Sequence, residues 1–87
     1  MSAGIRVGSV IRMHYSRNYT DAGRKGTHTY DILARVTHIG ADTFSWDVEA
    51  HENVKDEPPF ATYPLTGTAL LAVLPRRIES GEWALEA

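Results

Sequence analysis

The chain contains no cysteine. Disulfide staples, thiolate metal sites and cysteine nucleophiles are therefore excluded, and the absence favours a reducing, cytoplasmic setting. No apolar run reaches the roughly 20 residues that a membrane-spanning helix needs. The N-terminal residues alternate in polarity instead of forming the apolar centre of a signal peptide. A soluble protein away from membranes is expected. An excess of basic charge is also missing: nine Lys and Arg against eleven Asp and Glu leave a net −2 over 87 residues. That balance argues against strong non-specific binding to nucleic acid over the whole surface.

What is present is a period of two. From Thr43 to His51 the even positions Phe44, Trp46, Val48 and Ala50 are apolar, and the odd positions are polar or charged. This is the signature of a strand with one face on a core and one in water. Ile5, Val7, Ile11, Met13 and Tyr15 predict an earlier strand over Ile5 to Tyr15, with Arg6, Arg12 and His14 on its other face. Tyr30, Ile32, Ala34, Val36 and His38 predict a second strand. Gly40-Ala41-Asp42 turns it into the third, so residues 30–51 read as a hairpin, and Ile39 marks a bulge or twist at its exit.

Between the first two strands, Ser16 to His28 is polar and rich in Gly, Asn, Asp and Thr, and is read as the longest loop. Pro58-Pro59 removes two backbone donors and breaks regular structure after Asn53. Phe60 to Tyr63 then suits a short strand ended by Pro64. Thr68 to Leu74, apolar all round from Ala69, is read as a buried strand because it is short and Pro75 cuts it off. Ser80-Gly81 suits a two-residue turn that would set Ile78 opposite Trp83. The competing reading makes Pro75 the first residue of a short helix ending near Gly81. One all-β domain of five or six strands, with at most one short helix near 68–80, follows, and that size and strand spacing resemble the SH3-like and OB-like small barrels.

Enzymatic signatures are lacking. His14, His28, His38 and His51 show no spacing that pairs two imidazoles, and His51-Glu52 fails as a zinc-protease motif because Lys55 stands where the second histidine belongs. No glycine elbow surrounds a serine. Asp47 and Glu49 point off one solvated strand face, which is not the desolvated setting that carboxylate acid–base chemistry requires. No enzyme, no metal and no cofactor is expected.

Charge is distributed unevenly along the chain, and this carries the functional reading. Residues 1–39 sum to +4 and residues 40–60 to −5. Asp47, Glu49, Glu52, Asp56 and Glu57 form an acidic hairpin surface continued by a proline-stiffened loop, suited to docking on a basic patch of a protein partner. The cysteine-free, motif-poor character of this small chain is similar to that of phage-encoded inhibitors such as anti-CRISPR proteins, which implies a protein target. The alternative is a single-stranded nucleic-acid binder that uses the segment 16–28. Arg17, Arg24 and Lys25 would meet phosphates there while Tyr19 and His28 stack on bases. Gly23-Arg24-Lys25-Gly26 resembles the glycine-flanked basic loop of KH domains, but that loop joins helices and these neighbours read as strands. A homodimer pairing the basic half of one copy with the acidic hairpin of another is a further arrangement open to the sequence.

Overall fold

The structure, a computed structural model, describes residues 4–86. It contains strands β1 (Val10–Asp21), β2 (Arg24–Ile39), β3 (Thr43–Lys55), β4 (Thr66–Leu70) and β5 (Trp83–Glu86), with one helix, α1 (Val73–Glu79), before β5. All neighbours are antiparallel, in the order β4-β3-β2-β1-β5. The expected all-β class of five or six strands forms as a five-stranded antiparallel sheet, with the one short helix that the sequence allowed.

The inner face of the sheet carries the residues that the period of two assigned to it. Ile11 and Met13 of β1, Ile32, Ala34 and Val36 of β2, and Phe44 and Trp46 of β3 are buried, together with Leu74 of α1 and Trp83 of β5. In a flat sheet β3 and β5, three strand spacings apart, would stand about 14 Å from one another. The Phe44 and Trp83 rings nonetheless meet edge to face with centroids 6.0 Å apart, so the sheet is strongly curled. The ladder stays open. β4 and β5 are its edges and do not pair with one another. The chain between them turns into α1, which packs against both edge strands, so the closed barrel expected from the strand count is not sealed by hydrogen bonds.

Several boundaries differ from the sequence reading. β1 begins at Val10 instead of Ile5, because Gly8 takes φ +97° and a turn links the Ser9 amide to the Arg6 carbonyl. Ile5 is still buried, but Val7 is 62% exposed. Phe60 to Tyr63 is no strand. Prolines on both sides limit its donors, and it is a turn followed by irregular chain, with the Ala61 amide bonded to the Pro58 carbonyl. The predicted strand at 68–74 ends at Leu70, and the competing helix is the one that forms. Pro75 is tolerated in its first turn, where amides have no intrahelical partner. Gly81, at φ +85°, ends the helix in place of a hairpin turn, so Trp83 pairs with Met13 of β1 and not with Ile78.

Three irregularities in the β2–β3 ladder set which side chains face which way. An extra residue at Thr37 leaves His38 exposed instead of continuing the core face, close to the bulge expected near Ile39. A second shift leaves Glu49 without a rung, so His51, not Ala50, stands opposite Ile32. That shift takes His51 off the polar strand face on which the period of two sets it with Asp47 and Glu49. A third shift lies between Thr29 and Asp31, near Asn53 with its φ of +53°.

Candidate nucleic-acid interface

The segment read as a long loop is a two-stranded arm. Cross-strand pairing continues from Ser16↔Thr29 through Arg17↔His28 and Tyr19↔Gly26 to Asp21↔Arg24. Ala22 and Gly23 form the turn, with φ of +49° and +79°, the positive values that a type I′ hairpin turn requires of both central residues. β3 pairs no further along β2 than Thr29, so the ribbon from Arg17 to His28 runs beyond the rest of the sheet. This extension accompanies overall dimensions of 49 × 22 × 22 Å.

Alternation places Arg17, Tyr19, Arg24 and His28 on the inner face of the arm and Lys25, opposite Thr20, on the outer one. Across that inner face lies the segment Pro58–Thr62. Phe60 meets Tyr19 edge to face at 6.3 Å, and the Tyr19 ring lies over Gly26, where a side chain would collide with it. His28 is 5% exposed, so it is a wall of the arm's base and not a free stacking platform.

Tyr63 holds this segment in place. Its ring stacks on His51 at 4.1 Å and meets Tyr30 edge-on at 4.9 Å. Its hydroxyl donates to Glu57, which pushes the phenol pKa up to about 12. With that proton committed, the same oxygen can only accept from His28 Nε2–H, 3.4 Å away. The sequence gives Pro58, Phe60 and Tyr63 structural roles only, as a chain break and a short strand, and no part in a site. Aromatic residues left in a proline-broken, non-periodic segment are the signal that points to them.

The acidic residues do not form one free surface. Arg12 reaches Glu86 Oε1 at 2.7 Å, Glu52 Oε1 at 2.9 Å and Asp31 Oδ2 at 3.5 Å. Arg35 holds Glu49 at 2.9 Å and also bonds the Gly8 carbonyl. Glu57 accepts a hydrogen bond from Tyr63, so of the five only Asp47 and Asp56 are exposed with neither an ion pair nor a side-chain hydrogen bond among the described residues. The basic and acidic runs of the sequence thus meet partly within one molecule, across β1, β2 and β3. Arg17, Arg24 and Lys25 have no such partner among the described residues. Three cations and one acid, Asp21, leave the arm with positive charge that the body does not neutralise.

Within that network, burial pushes the Asp31 carboxyl upward, but hydrogen bonds from Asn53 and His14, with the charges of His14 and Arg12, outweigh it and hold the group below its ordinary value. No group of three or more metal-ligating side chains is placed to hold an ion among the described residues, and no described helix is long and apolar enough to cross a membrane. No protein-family model matches the chain, and no curated protein or solved structure matches it either.

Proposed function

We propose that the protein is a non-enzymatic nucleic-acid-binding module whose β1–β2 arm makes the contact. The single observation that carries this reading is that Arg17, Arg24 and Lys25 project from a ribbon beyond the sheet with no ion-pair partner among the described residues, while Arg12 and Arg35 of the body are engaged by carboxylates. Phosphates are the natural counterions for such a row, and each one neutralised releases condensed cations from the nucleic acid. Tyr19 and the exposed Phe60 lie beside the cations, where bases are within reach. The curl of the sheet, with α1 lying against its two edges, supports assignment to the SH3-like or OB-like small-barrel type.

The test is binding of a fluorescent oligonucleotide at low and raised salt. Wild type should bind with an affinity that falls steeply as salt rises, and reversing Arg17, Arg24 and Lys25 to glutamate should abolish binding at unchanged melting temperature. Failure to bind RNA or DNA at low salt removes the reading.

A second reading, docking of a protein partner on the acidic surface, is favoured by Asp47 and Asp56, which stay exposed and unpaired among the described residues, on β3 and just after it. An inhibitor that occupies the basic patch of a nucleic-acid-handling protein would use such a surface. Capture of a partner that survives nuclease treatment, and slower association once Asp47, Glu49, Glu52, Asp56 and Glu57 are changed to serine, would favour it over the first.

A further inference from the structure

Between the inner face of the arm and the Pro58–Thr62 segment lies a cleft of about 430 Å³, with Arg17, Tyr19, His28, Tyr30 and Phe60 among its walls. We propose that this cleft takes one unpaired base of a single strand, so that the protein selects single-stranded over duplex nucleic acid. The proposal rests on the arm being the nucleic-acid surface.

Three observations commit the cleft to a base. The first is Phe60, a large aromatic that is nonetheless 58% exposed. Its edge-to-face contact with Tyr19 uses only part of the ring, and the remainder offers area on which a planar, apolar group can stack. The second is the floor: His28 and Tyr30 are buried, with ring centroids 5.0 Å apart, so the cleft has a preformed base and does not need to open. The third is charge. Arg17 lies exposed at the wall, with Arg24 further along the same face, and no acid pairs with either among the described residues. A planar ring attached to an anionic backbone matches an aromatic cleft rimmed by cations. In a duplex the base faces are covered by their neighbours, and only a strand with an unstacked base can present one here.

Phosphate contact by the arm alone predicts a different behaviour, and this separates the two ideas. A 12-nucleotide strand carrying one central 2-aminopurine, and the duplex of the same sequence, would be titrated with wild type, Phe60→Ala, Phe60→Trp and the Arg17, Arg24 and Lys25 charge reversal. Base capture predicts quenching of 2-aminopurine in the single strand and tighter binding to it than to the duplex. It also predicts an affinity loss of roughly tenfold in Phe60→Ala that Phe60→Trp restores. Duplex affinity should be the same in wild type and Phe60→Ala. Because Phe60 is exposed, both variants should melt with wild type. Equal affinity for strand and duplex, no quenching and no effect of Phe60→Ala, with binding still lost on charge reversal, overturns base capture while leaving the arm as the binding surface. Absence of binding to either probe at low salt overturns both.

Discussion

Trp46 and Gly67 face each other across the β3–β4 ladder, and the glycine is what lets the indole lie where it does. A Cβ at Gly67 would overlap the Trp46 ring, which is itself packed against Phe44 and Trp83 at 5.3 and 6.0 Å. Gly67→Ala should therefore cost about 1–3 kcal/mol by overpacking, read from the midpoint of urea denaturation. Trp46→Ala, which empties the same site, should cost about 3–5 kcal/mol. Trp46→Phe should cost much less, because it also removes the Nε1–H that is buried without a hydrogen-bond partner among the described residues. Equal losses for Phe and Ala would show that the indole N–H is satisfied in solution.

Tyr63 supplies a pH dependence whose sign is fixed by its partner. The hydrogen bond to Glu57 raises its folded-state pKa from the ordinary 10.0 to about 12. A proton held more tightly by the folded state contributes stability that is fully present below pH 10 and is lost as pH rises through about 12. Absorbance of ionised tyrosine at high pH should show Tyr63 among the late-titrating residues, together with Tyr15, which burial also raises, and Glu57→Gln should move Tyr63 alone earlier. A late-titrating fraction that Glu57→Gln leaves unchanged would mean that the Glu57 contact does not persist.

The core was legible because burial on one face and water on the other write a period of two into β2 and β3. Trp46 and Phe44 could be placed from that alone. The arm was not, for the same reason: from Arg17 to Thr27 both faces are largely polar, so no alternation marks the pairing. Ala22-Gly23 also lacks the Asn-Gly or Asp-Gly signal of a type I′ turn. At 69–74 the run is apolar all round, and the point where strand gives way to helix depends on tertiary packing that local sequence does not record.

The candidate residues divide along the same line. Arg17, Arg24 and Lys25 were visible as cations, but that they form no ion pair among the described residues depends on how the strands are placed in space. Glu49 and Glu52 looked like part of a single acidic patch until Arg35 on β2 and Arg12 on β1 engaged them. One bulge at Glu49 decides that His51 sits beside Tyr63 instead of among the acids. Bulges of this kind change the face of every residue that follows, and composition gives no warning of them.

Asp31 joins β1, β2 and β3 on the outer face through His14, Arg12 and Asn53. Its carboxyl lies below the ordinary 3.8, so it contributes stability that is present above that value and lost as pH falls through the folded-state value. Asp31→Asn should cost roughly 1–2 kcal/mol near neutrality, since it leaves Arg12 and His14 with a weaker acceptor. The difference between variant and wild type should shrink in acid. Urea denaturation at a series of pH values checks this, and a constant difference down to low pH would assign the loss to packing instead of charge.

The final prediction concerns the turn that makes the arm. Ala22 sits at φ +49°, where its Cβ is disfavoured, while asparagine tolerates the same conformation several-fold more often. Followed by Gly23, an asparagine there would give the Asn-Gly pair that type I′ turns prefer. Ala22→Asn should therefore raise the stability of the ribbon by roughly 0.5–1 kcal/mol. The effect should be local, because the arm's outer rungs lie beyond β3 and open without disturbing the core. Hydrogen exchange should slow at the amides of residues 17–28 and stay unchanged in Ile32, Val36 and Phe44. Since Ala22 is not among the residues assigned to nucleic acid, affinity should hold or improve as a better-ordered arm loses less freedom on binding. Faster exchange along the ribbon would mean that the two strands do not pair through to Asp21 and Arg24 in solution.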